Sequence, residues 1–224
     1  MKTGQLLIKS LTGTLFFLLI LFISAGRINY WQGLLYASIN IISVFLNSFA
    51  LSNNNELAEE RSRVHEGTKS WDKKILGLSA VTLIITYIVA GLDSGRFQWS
   101  PGFHWSINAT GTVLILLGEV IFLTAQKQNK FFSSVMRIQT DRGQTVCETG
   151  LYKIIRHPAY LGTIVTPIGI PLISGSLWSI MPSVFSIILT LIRTSLEDKT
   201  LINELNGYRE YTYKTRYRLL PYIW

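Results

Sequence analysis

The chain has 224 residues, of which 48% are hydrophobic and only 15% charged, with a formal net charge of +8. Soluble domains carry about 25% charged residues, so this composition excludes an ordinary soluble enzyme. The single cysteine, Cys147, excludes an intrachain disulfide.

Charge is absent from Ser10–Gly26, Ile28–Asn55, Ile75–Leu92, Phe97–Gly118 and Pro158–Ile192. A helix needs about 20 residues to cross the hydrocarbon core. The first four runs each suit one span, and the last suits two short ones. The expected fold is all-α: a polytopic membrane protein with about six transmembrane segments, the last two forming a tight helical hairpin, then a cytoplasmic C-terminal helix and tail. The first run reads as a span, not a cleaved signal, because further spans continue its topology.

In chain order, spans near 6–25 and 31–51 are joined by the outer turn "GRINY". The inner loop that follows contains "ELAEERSRV", which predicts a short helix with Glu59 and Arg63 as an i,i+4 pair. Span three covers about 75–92, and "DSGRFQWSPGFHW" reads as an outer loop with an interfacial aromatic belt. Span four, about 106–126, contains Glu119. A carboxylate inside a span is a functional candidate by default, although snorkelling or a helix–helix hydrogen bond explains it equally well. Residues 1–126 form an N-terminal transmembrane unit, and 127–224 a C-terminal core.

Residues 127–157 are too polar to span and too rich in Phe, Val and Ile for a linker, so ordered structure beside the membrane is expected. Pro158 suits the first turn of a helix, and "SGS" supplies the hairpin turn. With the N-terminus inside, 19 of the 21 Lys and Arg residues fall on the cytoplasmic side, leaving Arg27 and Arg96 outside. That balance accounts for the basic charge by orientation and by attraction to lipid headgroups, so nucleic acid is not an expected partner.

Two clusters carry possible chemistry. Tyr152, Arg156, His157 and Tyr160 stand at the start of the last uncharged run, and Arg193 and Glu197 are four apart at its end. A hairpin brings both to one depth. Plainer roles remain open: His157 as a helix cap, Arg156 as a lipid-phosphate ligand, and Arg193–Glu197 as an interfacial salt bridge. His65, His104 and His157 are far apart, and there is no HExxH, CxxC, Walker or GxGxxG motif, so neither a metal nor a soluble-type nucleotide fold is expected.

"GLYKIIRHPAYLG", "RTSLED" and "NGYREYTYKTRYRLLP", in this order, resemble the isoprenylcysteine carboxyl methyltransferase family in its prokaryotic-type members, and the upstream "NKFFSSVMRIQTDRGQTV" fits the same pattern. Phospholipid N-methyltransferases share this core. The resemblance covers about residues 127–224 and implies S-adenosyl-L-methionine as cofactor, bound on the cytoplasmic side. It assigns to the cofactor Tyr152 and the stretch His157, Pro158, Ala159 and Tyr160. The strip Gln144, Thr145, Val146 and Cys147 joins them, as does Gln139 at a spacing off by a residue or two. Glu197 matches an acid that contacts the cofactor, and Arg193 an arginine assigned to the substrate. The chain has "ED" where many members have "EE". The implied acceptor is a lipophilic small molecule or prenylated substrate, with a carboxylate favoured over an amine. An NADPH-dependent sterol-type reductase also carries "RHPxY", but its usual "RHPNY" followed by "GE" is absent here. A non-enzymatic membrane protein whose motif binds lipid phosphate is the remaining alternative.

Overall fold

In the computed structural model, residues 2–52, 55–62 and 67–224 are described. Eight α-helices account for most of them: α1 (Lys2–Ala25), α2 (Trp31–Leu51), α3 (Asn55–Ser62), α4 (Ser70–Ala90), α5 (Trp105–Gln128), α6 (Pro158–Ser174), α7 (Ile180–Glu204) and α8 (Tyr208–Lys214). There is no strand among the described residues. Five helices are long and apolar enough to cross a bilayer, and α6 is a shorter apolar helix of 17 residues. At 1.5 Å per residue α6 rises only about 25 Å, against a hydrocarbon core of about 30 Å. The molecule is a multi-pass helical membrane protein.

The six long helices close a ring: α1 packs on α2, α2 on α5, α5 on α6, α6 on α7, α7 on α4, and α4 back on α1. Its interior holds Leu18, Leu21, Tyr36, Ile39, Tyr87, Ile115, Ile170 and Ile173. Tyr36 and Tyr87 satisfy each other there through hydroxyls 2.6 Å apart. The outward faces carry exposed Leu15, Phe16, Phe45, Leu116, Val120, Phe185 and Ile188, which suits lipid contact.

The α5–α6 contact is the closest in the ring, and glycine makes it possible. A Cβ on Gly118 would stand 2.8 Å from the Gly162 carbonyl oxygen, and one on Gly162 would stand 2.5 Å from that of Gly118. Two turns further along, a Cβ on Gly111 would lie 2.8 Å from the Gly169 oxygen. In lipid, helices gain by such close approach because no hydrophobic force drives them together.

One expectation needs revision. Asp93–Phe97 is not loop: it belongs to a π-helix, Gly91–Phe97, that extends α4. Gly91 and Gly95 let that wide turn lie against α1, since a Cβ on either would strike Leu21 or Ala25. The buried Asp93 on this turn accepts from the hydroxyls of Ser100 and Ser176, both at 2.6 Å, and so holds the α6–α7 turn. The C-terminal tail folds back on the molecule. The carbonyls of Tyr217 and Arg218 accept from the backbone N–H groups of Arg156 and His157, both at 2.9 Å, which ties the segment to the start of α6. The predicted Glu59–Arg63 pair lies outside the described residues, because Arg63 does.

Arg27 and Arg96 sit at the α6–α7 turn end, Arg27 reaching the Ser94 carbonyl at 3.4 Å and Arg96 that of Ile23 at 2.7 Å. Gly118→Ala and Gly162→Ala are each expected to cost about 1–3 kcal/mol of stability, by forcing a methyl into opposing backbone. Thermal unfolding in detergent reads this directly. Gly77→Ala, with nothing within 4 Å of the added Cβ, is the control and leaves the midpoint unchanged.

Candidate active site

The site forms where the start of α6 meets the inner half of α7. Gly150, at φ +57°, turns the chain into a 3-10 turn. Gln128 Oε1 accepts from Leu151 N at 2.7 Å and anchors that turn to the end of α5. Pro158 then opens α6. The backbone N–H of His157 is taken by Arg218, so its ring is free to turn towards α7 instead of capping α6.

Asp198 receives it. This carboxylate is fully buried, and His157 Nε2 lies 3.0 Å from its Oδ1. Arg156 donates to both its oxygens, Nε at 2.8 Å and Nη2 at 2.9 Å. Arg218 Nε donates at 2.8 Å and the Tyr208 hydroxyl at 3.0 Å. Burial, followed by the neighbouring Asp198 charge, pushes the Tyr208 phenol well above its ordinary range, so it is a donor throughout.

The preceding residue faces the other way. Successive residues on a helix lie about 100° apart, so while Asp198 is sealed, Glu197 keeps 21% of its side chain exposed. The Tyr160 hydroxyl donates to Glu197 Oε2 at 2.6 Å, and His157 Nδ1 lies 3.8 Å from Oε1. One histidine therefore touches both consecutive acids. Arg193 does not pair with Glu197. Its Nε and Nη2 donate to Asp72 at 2.7 and 3.2 Å, Nη2 also reaches the Ser134 carbonyl at 3.1 Å, and its guanidinium lies 5.4 Å from the Tyr160 ring centroid.

These groups open onto a cavity of about 290 Å³, at the lower end of the range for small-molecule sites. Gln139, Gln144, Thr145, Val146, Cys147, Tyr152, His157, Ala159, Tyr160, Arg193 and Glu197 all line it. Pro158 is buried beside it as the first helical residue. Gln139 is itself held: its Nε2 donates to the Phe131 carbonyl at 2.6 Å, and its backbone N–H to Gln144 Oε1 at 2.7 Å. Tyr152 is fixed through its carbonyl, which accepts from the Tyr211 hydroxyl at 2.5 Å. Burial raises the Tyr152 phenol above its usual value, so it too stays protonated.

Sequence reasoning overlooked several groups. Asp198 was visible only as a departure from "EE", and Asp72 not at all. Arg61 and Phe122 also border the cavity, brought there by α3 and α5 from outside the C-terminal core, together with Phe132 from the segment that follows α5. Glu119 does not line the cavity.

Comparison with known proteins follows this geometry. The family model for phospholipid methyltransferases matches residues 107–207. Protein-S-isoprenylcysteine O-methyltransferase B of Arabidopsis thaliana is 31% identical over 100 residues, covering 41% of this chain and 51% of that protein. A probable protein-S-isoprenylcysteine O-methyltransferase of Oryza sativa subsp. indica is 30% identical over 67 residues, 30% of this chain and 35% of its own length. The chain thus aligns with about half of the first relative and a third of the second. Among solved structures, the eukaryotic intramembrane Ras methyltransferase, an isoprenylcysteine carboxyl methyltransferase, superposes with a TM-score of 0.56 at 16% identity, over 93% of this chain and 73% of the other. The fold is shared well beyond the aligned sequence.

Asp198→Asn leaves Arg156, Arg218 and His157 without their common anion. It is expected to lower stability by about 3–5 kcal/mol, the scale for breaking a buried ion pair from one side. Detergent thermal unfolding measures it. Glu197→Gln, at the half-open neighbour, is expected to shift stability by less than about 1 kcal/mol, since among the described residues no Arg or Lys is paired with it.

Proposed function

We propose that this chain, which resembles the isoprenylcysteine O-methyltransferases in sequence over its C-terminal half and in fold, is an integral-membrane S-adenosyl-L-methionine-dependent methyltransferase acting on a lipophilic carboxylate. The observation that carries the reading is the convergence of the 139–147 strip, Tyr152, His157, Tyr160 and Glu197 on one cavity. The donor set fits the cofactor. Glu197 offers a half-open carboxylate with no Arg or Lys paired to it, suited to a cationic ligand, and the Tyr152 and Tyr160 rings beside it favour positive charge as well. Gln139, Gln144–Cys147 and Tyr152 would hold the remainder. When bound, that cofactor supplies a methyl group on a sulfonium sulfur.

The protein's own work is then mostly placement. An acceptor carboxylate is already ionised at neutral pH and needs no general base, so alignment of the reacting atoms supplies most of the rate. Tyr160 fixes Glu197 through the 2.6 Å hydrogen bond. Arg193, the residue the family pattern gives to the substrate, has two of its nitrogens committed to Asp72 and Ser134. We assign it chiefly to holding Tyr160 and the 134–136 segment in register. The apolar α5–α6 wall offers the acceptor's tail a path from the bilayer. In this reading α6 counts as a sixth crossing. The cavity end is cytoplasmic, as the positive-inside rule favours.

A second reading, N-methylation of a phospholipid amine, draws on the phospholipid methyltransferase family model. It requires a base to take the amine proton, and Glu197 is the carboxylate at hand.

Calorimetric titration of S-adenosylhomocysteine into the detergent-purified protein tests the proposal. Wild type is expected to bind saturably. Glu197→Gln is expected to weaken binding about tenfold or more, the size of one lost charge-assisted contact. A folded wild type that does not bind would sink the methyltransferase reading. With binding secured, methyl transfer to a prenylated cysteine and not to phosphatidylethanolamine separates the first reading from the second.

A further inference from the structure

Four arginines border the cavity, and three of them arrive with a carboxylate. Arg137 is paired with Glu60 at 2.7 Å, Arg156 with Asp198 at 2.8 Å, and Arg193 with Asp72 at 2.7 Å. Arg61 is the exception. Among the described residues only its Nη1 has a hydrogen-bond partner, the amide oxygen of Gln126, and its Nε is buried with none. Glu119 is near enough to attract it, but no ion pair forms between the two. Burial outweighs that attraction and holds the guanidinium down to about 10. Buried cations in folded proteins are normally paired, so an orphan at a cavity wall marks a place for an anion.

The surroundings say which kind. The Arg61 guanidinium lies 5.6 Å from the Phe122 ring centroid and 5.4 Å from that of Phe132, and the two rings meet edge-on. Phe122 belongs to α5 and packs against Gly162 of α6. The residues assigned to the cofactor come instead from Gln139, the 144–147 strip, Tyr152, the first turn of α6 and Glu197 of α7. The Arg61 position is also built, not incidental. Glu60, next to it on α3, takes Arg137 through two parallel hydrogen bonds of 3.0 and 2.7 Å and the Ser133 hydroxyl at 3.0 Å. Gln126, 1% exposed, is held in turn by Asn47 at 3.0 Å.

We propose that Arg61 is the residue that receives the acceptor's carboxylate, with Phe122 and Phe132 bordering the apolar chain next to it. Arg61 Nη2, without a hydrogen-bond partner among the described residues, is the donor an entering carboxylate meets first. A turn of the guanidinium that frees the buried Nε presents the two parallel donors that a carboxylate accepts together. A cation on α3 thereby selects acceptors that combine an acid with a hydrocarbon. This assignment rests on the methyltransferase reading above.

The test compares S-farnesyl-N-acetylcysteine with its carboxamide as ligands of wild type, Arg61→Gln and Arg61→Lys, alongside S-adenosylhomocysteine. Wild type is expected to prefer the acid by about 10- to 100-fold, the range for a charge-assisted pair. Arg61→Gln loses that preference, Arg61→Lys keeps part of it, and both hold S-adenosylhomocysteine within about twofold of wild type. Undiminished preference for the acid in Arg61→Gln overturns the proposal. So does loss of S-adenosylhomocysteine affinity in both variants, which assigns Arg61 to the cofactor's side or to folding. Failure of wild type itself to bind S-adenosylhomocysteine condemns the underlying reading instead.

Discussion

Everything at the cavity end hangs on one buried carboxylate. Asp198 accepts from Arg156, His157, Tyr208 and Arg218, which come from the entry to α6, the start of α8 and the C-terminal segment. A charge this deeply buried persists only if its lone pairs are filled. The requirement works in both directions: the cluster neutralises Asp198, and Asp198 forces four separate parts of the chain to meet. The start of α6 is thereby held at a set depth and rotation, and with it His157 and Tyr160.

The adjacent carboxylate inherits its freedom from that arrangement. Since Asp198 absorbs the local cations, Glu197 is left to Tyr160 and to the more distant face of His157. A single residue step, about 100° of helix rotation, thus separates a sealed acid from a half-open one that faces the cavity. Asp72 repeats the pattern at the other wall, where it binds Arg193 and accepts from Met136 N at 2.7 Å. The walls of the cavity are tied by ion pairs, which leaves its interior able to meet a ligand's charge.

At the opposite end the same logic is met with neutral donors. Asp93 closes the α6–α7 turn using serine hydroxyls, and Tyr30 reaches the Ser174 carbonyl at 3.0 Å. Between the two ends, α6 is held by glycine contacts with α5, joined near its last turn by Asn108 Nδ2, which donates to the Leu172 and Ile173 carbonyls at 3.1 Å. Pro167 and Pro171 lie within α6 and withhold donors from the carbonyls four residues before them. Close packing on α5 compensates for that local weakness.

Much of this was legible from residue order alone. Runs without charge marked the rough limits of the long helices, because a bilayer admits only segments of that length and polarity. The motifs at 150–162, 193–198 and 206–221 hold many of the residues that line one cavity, because a hairpin must bring its two ends together. Other features had no local signature. Asp93–Phe97 read as loop because its helical state depends on packing against α1. Asp72, Arg61 and Phe122 lie far from the motifs in sequence, and only the closing of the ring sets them beside the cavity. Above all, "ED" in the sequence is two equivalent acids. Which one is buried among cations and which faces the cavity is decided by the rotation of α7 against α6, a property that exists only once the chain has packed.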